Sequence, residues 1–195
     1  MHPYSTTSEE RSKVPFGLAA IAIGLAWLLS LIIGEIHLPF WIEVPGAVTL
    51  YGLLYALFRS YIWKWSLLHR IGLVTTPNIA GDWCGYVTST FDDLAVRHPI
   101  KVRIQQNWTH LLLRLSANNS ESESVVAFMV VGDGTALSYE YRNTPKPGAK
   151  DTMHAHAGMA VLKLGDDGEL SGEYYSGRDR ANQGIISLMR CHPDP

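Results

Sequence analysis

Two apolar stretches, Phe16–Gly34 and Val44–Trp63, fill most of the first third of the chain, with a short polar turn between them. The first, FGLAAIAIGLAWLLSLIIG, has 19 residues and no charge. At the helical rise it spans roughly 28 Å, about a bilayer's hydrocarbon core. The second carries Arg59 near one end, where a long side chain reaches the interface. Trp41, Tyr61, Trp63 and Trp65 sit at the span ends, as interfacial aromatics do. The first run is too long for a signal peptide's apolar core, and a second follows closely. The pattern predicts a retained two-helix transmembrane hairpin, with spans over 16–34 and 44–63. Ala20 and Gly24 form a small-xxx-small pattern, joined by Gly17, Gly46 and Gly52. Such residues permit close helix packing, within the hairpin or between copies.

After about residue 75 the pattern changes. Short alternating segments follow, broken by Gly, Asn, Asp and Pro. Eight read as strands: Gly81–Thr90, Ile100–Gln106, Thr109–Ala117, Ser124–Val131, Ala136–Asn143, His156–Leu164, Glu169–Ser176 and Gly184–Cys191. No amphipathic helix separates them, so parallel crossovers are excluded as the main connection. The expected fold is therefore the hairpin (residues 1–74) plus an all-β domain (75–195). The latter is an eight-stranded antiparallel up-and-down minimal barrel of lipocalin-like type. Eight strands leave an interior that is filled or holds one small ligand.

Alternation assigns faces. Glu140 and Arg142 face water, which turns Leu137, Tyr139, Tyr141 and Asn143 inward. Lys163 faces out, which turns His156, Gly158 and Leu162 inward; Glu173 does the same for Leu170, Gly172 and Tyr174. Val102, Ile104 and Gln106 face inward opposite Lys101, Arg103 and Gln105. Continuing the phase past Gly177 puts Arg178 and Arg180 on the interior side at the barrel mouth. That interior is too polar for a filled core, since each unpartnered buried group costs about 1–3 kcal/mol. A water- or ligand-filled pocket removes the difficulty. Aromatic faces suit nucleobases and arginine forks suit phosphates.

Charge narrows the partners. With net charge −2, no global basic field exists to hold long nucleic acid. Arg11 and Lys13 precede the first span, and Arg59, Lys64 and Arg70 close or follow the second. The turn between has Glu35 and Glu43 and no Lys or Arg. The positive-inside rule then puts both ends and the β domain in the cytoplasm. Cys84 and Cys191 fit no metal spacing and are expected as reduced core or strand residues. His154 and His156 lack a third ligand, so no metal site or other cofactor is expected. Ser120, Ser122 and Ser124 alternate with Glu121 and Glu123 and read as an exposed strand start. No Walker loop, nucleophile elbow or GxGxxG is present, and no nucleophile–base pair emerges, so an enzyme is not expected.

Gly81-Asp-Trp83-Cys-Gly85 resembles the G-x-W opening of lipocalin-like barrels. Further pieces follow in order: Gln106-Asn-Trp108, Ser120-Glu-Ser122-Glu-Ser124, Tyr139-Glu-Tyr141-Arg-Asn143-Thr-Pro145, Met153-His-Ala-His156-Ala-Gly158 and Gly172-Glu-Tyr174-Tyr175-Ser-Gly177-Arg178-Asp-Arg180. With two preceding spans, the ordered set resembles the two-transmembrane, β-strand-rich effectors of bacterial CBASS antiphage systems. The resemblance implies a barrel that binds a cyclic dinucleotide made by a cognate nucleotidyltransferase. It also implies self-association through barrel and helices, disruption of the bacterial inner membrane and death of the infected cell. On that reading Arg178 and Arg180 pair the two phosphates. Tyr139, Tyr141, Tyr174 and Trp83 stack on or wall the bases, and Asn143, Gln106 and His156 read base edges or ribose hydroxyls. Two rivals stay open: a membrane-anchored, lipocalin-like carrier of an apolar ligand, and a structural subunit of a membrane complex.

Overall fold

A computed structural model describes residues 1–34, 46–132, 134–148, 154–178 and 181–191. The chain divides into two compact units: residues 1–7 with 76–195, and residues 8–75.

The first unit is a closed β-barrel. Its strands are β1 His2–Thr6, β2 Gly81–Val87, β3 His98–Gln106, β4 His110–Ser116, β5 Ser120–Val130, β6 Ala136–Pro145, β7 His156–Leu164, β8 Leu170–Ser176 and β9 Gln183–Arg190. The order around the barrel is β1-β4-β3-β2-β9-β8-β7-β6-β5. All eight expected strands form, and consecutive ones pair antiparallel from β2 to β9. The count is nevertheless nine, not eight. β4 and β5 pair only at one end, through Arg114↔Glu123, Leu115↔Ser122 and Ser116↔Glu121. Where they diverge, past a register shift in β5 between Ser124 and Val126, β1 fills the seam. It runs antiparallel to β4 (His2↔Leu111) and parallel to β5 (Tyr4↔Ala127 to Thr6↔Met129).

The interior row of each strand builds one core, with Trp83, Ile100, Val102, Ile104, Leu137, Leu162, Leu170 and Leu188 buried. Gly172 has no room for a side chain, because a Cβ there would overlap the Val161 carbonyl oxygen of β7. Glycine lets those two strands approach.

One end of the barrel is closed. Gln106, the last residue of β3, is buried there with both ends of its amide engaged. Its Oε1 accepts the Ile79 N–H at 2.8 Å, and its Nε2 donates to the Pro77 carbonyl at 3.1 Å and the Tyr4 hydroxyl at 3.3 Å. The Trp83 indole N–H donates to the Ile79 carbonyl at 2.9 Å, and the Arg190 guanidinium lies 4.7 Å over its ring. Cys84 of β2 and Cys191, just after β9, are joined as a disulfide, which corrects the expectation of two reduced cysteines. Their sequence separation of 107 hides that β2 and β9 are neighbours at the barrel's closure, where the two cysteines stand 5.1 Å apart, Cα to Cα.

The second unit is helical. Helix α1 covers Glu10–Gly34 and α2 covers Ala47–Ser60; a single 3-10 turn, Ile62–Lys64, leads to the short α3, Ser66–Arg70. Among the described residues only Glu10–Ile32 is long and apolar enough to cross a membrane. The second expected span, 44–63, is therefore not shown as a helix of crossing length among the described residues. α2 is apolar but has 14 residues, because Tyr61 leaves helical geometry (φ −130°, ψ −52°). Val44 and Trp41 lie outside the described residues. Of the expected interfacial aromatics, Tyr61 and Trp65 are exposed, whereas Trp63 is fully buried. The two ends of this unit are knit together: the Ser8 and Thr75 hydroxyls meet at 2.7 Å, and the buried Glu10 carboxylate accepts the Thr75 N–H.

Candidate functional site

At the end of the barrel opposite Gln106 and Trp83 lies a cavity of about 300 Å³. It opens among the β2–β3, β4–β5 and β8–β9 connections, beside His156 at the start of β7. Leu113, Leu115 and Ile186 supply its apolar wall. Its polar wall comes from β5 and β6, whose register sets Ser122 against Asn143 and Ser124 against Tyr141. Apolar walls with a few placed polar groups are the usual make-up of a small-molecule site.

Five of the expected site residues meet here: Tyr139, Tyr141, Asn143, His156 and Tyr174. Tyr139 and Tyr141 stand 6.3 Å apart at 54°, and the Tyr141 ring meets the His156 ring edge-on at 6.4 Å. The spacing is that of interacting aromatic rings. Gly158 on β7 permits this arrangement, since a Cβ there would overlap the Tyr141 hydroxyl. Burial, with the neighbouring Tyr141 second, pushes the Tyr139 phenol well above the ordinary tyrosine range. Tyr139 therefore remains a neutral hydroxyl at any physiological pH.

Asn143 is buried and half-satisfied. The Ser122 hydroxyl donates to its Oδ1 at 2.9 Å, while its Nδ2 has no hydrogen-bond partner among the described residues. A buried amide donor left alone is a cost that a ligand or water would remove.

Four expected site residues are elsewhere or undescribed. Trp83 and Gln106 face inward, but at the closed end, where both serve the plug described above. Neither lines the cavity. Arg178 is exposed on the β8–β9 connection and does not line the cavity either. β8 ends at Ser176, and Gly177 turns away to donate its N–H to the Ala157 carbonyl at 2.7 Å. Strand alternation stops there, so its phase says nothing of residue 178. Arg180 lies outside the described residues.

Sequence reasoning missed part of this wall. Ser120 and Ser124 are buried and Ser122 is half-buried; all three line the cavity rather than an exposed strand start. Their alternation with the outward Glu121 and Glu123 was the available signal. At the mouth the 3-10 turn Thr90–Asp92 presents Phe91, and His98 Nε2 donates to the Asp92 carboxylate at 2.5 Å. The described lining residues include no Lys, Arg, Asp or Glu; His98 and His156 are its only imidazoles. Among the described residues no group of three or more His, Cys, Asp or Glu could hold a metal ion.

Residues 74–190 match the family model described as "Cap15, cyclic dinucleotide receptor domain", and residues 12–64 match "Cap15, TM helices". The chain belongs to the Cap15 family. The Cap15 receptor-domain match covers the described strands β2 to β9 and every residue lining the cavity. A curated relative, CD-NTase-associated protein 15 of Yersinia aleksiciae, is 30% identical over 172 residues, 85% of this chain and 79% of the relative. The family is the one that the ordered motifs resemble.

Proposed function

We infer that the open-end cavity binds a cyclic dinucleotide and that binding is the signal for a membrane effector of CBASS antiphage defence. The observation that carries this reading is the cavity itself. A half-satisfied, tyrosine-lined, water-accessible pocket sits inside the stretch matched as a cyclic dinucleotide receptor domain.

At about 300 Å³ the cavity suits part of such a ligand, one base with its ribose, better than the whole. Tyr139, Tyr141 and Tyr174 wall the inserted base. Asn143 and His156 contact its edge or the ribose hydroxyls. The phosphates stay at the mouth, within reach of the loop that carries Arg178 and Arg180. Trp83 and Gln106 have no part in this site; their hydrogen bonds support a structural role.

Residues 1–74 act as the membrane part and 75–195 as the sensor, with β1 as the exception that belongs to the barrel. Both connections from the barrel lead into residues 8–75, and Ser8 and Glu10 are bonded to Thr75. A segment whose two ends are bonded together crosses a bilayer an even number of times. This supports a two-span hairpin despite the shortness of α2. The positive residues flanking the spans place the barrel on the cytoplasmic side of the inner membrane. The ligand comes from a cognate nucleotidyltransferase. Output requires that the ligand favour the self-associated state over the resting one, so that hairpins assemble and breach the bilayer. The protein works as a receptor and not as a catalyst.

The test is a thermal-shift screen of the detergent-solubilised full chain against cyclic di- and trinucleotides. A ligand at 100 times its Kd adds about 2.7 kcal/mol, a shift of several degrees. A large shift with one or two members supports the reading. No shift across the panel with a folded protein, or a co-purifying lipid in the cavity, overturns it in favour of the carrier.

A further inference from the structure

We propose that β1 reports occupancy of the cavity to the first membrane helix. The proposal rests on the receptor reading above and concerns how that site is read out.

β1 touches the cavity wall at one end and continues into α1 at the other. At the first end, His2 Nε2 meets the Ser124 hydroxyl at 2.8 Å. That hydroxyl also accepts the Leu113 N–H at 2.9 Å, and Ser124 lines the cavity. At the other end only Thr7, Ser8 and Glu9 separate Thr6 from the start of α1 at Glu10. A cavity-wall hydroxyl is thus linked, through the His2 hydrogen bond and then the chain itself, to the one described helix long enough to cross a membrane.

Two features make β1 a separable strand. It is five residues long and pairs with its neighbours through two positions on β4 and three on β5. β4 and β5 already pair with each other beyond its tip, so the barrel stays closed there whatever β1 does. Its anchors include Tyr4 in the core, whose hydroxyl accepts from Gln106, and, just past the strand, Thr7, whose N–H donates to the Met129 carbonyl and whose hydroxyl bonds Val131. Short elements with few pairings open locally at a small fraction of the global cost.

Ser124 has one hydrogen and two lone pairs, and Leu113 and His2 already use two of these three. One position on the hydroxyl remains, so the relay requires a ligand polar group that takes the His2 position on Ser124 and thereby displaces His2. Losing His2 frees the tip of β1, loosens the strand in its seam, and slackens its hold on the first turn of α1. The two states then differ in how firmly β1 is held, and the ligand biases them through one hydroxyl.

Hydrogen exchange read by mass spectrometry on the full chain in nanodiscs tests this, with the cyclic dinucleotide panel as probe. The expected result is protection of β5 and β6 together with exchange at residues 1–7 at least about 5-fold faster on binding. Protection of β6 with residues 1–7 unchanged or slower overturns the relay and leaves the receptor reading intact. No protection anywhere overturns the receptor reading and the relay with it. His2→Ala supplies a second measurement, because His2 does not line the cavity. It should raise exchange at residues 1–7 without ligand, with β2 to β9 unchanged and affinity within about 3-fold of wild type. Wild-type exchange at residues 1–7 in that variant would also overturn the proposal.

Discussion

At one end of the barrel Gln106 uses its carbonyl on Ile79 and its amide on Pro77 and Tyr4. At the other end Asn143 uses its carbonyl on Ser122 and its amide on nothing among the described residues. Both carboxamides are buried, both project from the last residues of a barrel strand's inward row, and both were equal candidates on chemistry alone. Their surroundings separate them. Where every polar atom has a protein partner, the residue holds the fold. Where one is left over beside a cavity, the residue is available to a ligand. The aromatics differ in place too: Trp83 is bonded and covered by Arg190 at the closed end, while Tyr141 lines the cavity beside His156.

Substitutions that strike one end should break this contrast most. Trp83→Ala removes a fully buried indole from the closed end and should cost about 3–5 kcal/mol, read as a large fall in the denaturation midpoint. Next comes the carboxamide pair. Gln106→Leu leaves the Ile79 N–H without its acceptor and should destabilise by about 1–3 kcal/mol, with ligand affinity kept in the folded fraction. Asn143→Leu removes a buried donor that had no partner; its stability should change by under about 1 kcal/mol while affinity falls at least tenfold. Equal stability losses for the two, by chemical denaturation, would erase the distinction. The smallest effect lies on the outer surface of the closed end. The hydrogen bond from Arg103 holds the exposed Asp82 carboxyl below the usual range. A lowered carboxylate stabilises above its unfolded pKa, about 4, and loses that contribution as pH falls through the lower folded value. Asp82→Asn should therefore cost little at neutral pH, and that little should vanish in acid.

Much of the barrel was legible because its rule is local. Glu140, Arg142, Lys163 and Glu173 mark the outer face, and period-two alternation then gives the inner face of β6, β7 and β8. The rule fixes a face and not a depth. Trp83 near the start of β2 and Gln106 at the end of β3 face inward correctly, yet at the closed end. Which end is open depends on how nine strands meet, which no single strand records. Arg178 lies off the cavity wall for another reason: the alternation ends at Ser176. β1 was illegible because its five residues include Pro3 and a single core side chain, Tyr4, and its parallel partner β5 lies more than a hundred residues away. The disulfide was hidden by the same long closure between β2 and β9.

The measurement that tests the central claim most directly is calorimetric titration of the detergent-solubilised full chain with the cyclic dinucleotide panel. It is made on wild type, on Tyr141→Ala at the open end and on Trp83→Phe at the closed end. The account predicts saturable binding of one or two members by wild type, loss of that binding in Tyr141→Ala and its retention in Trp83→Phe. Binding that ignores Tyr141 and fails with Trp83→Phe, or no binding by a folded wild type, would contradict it.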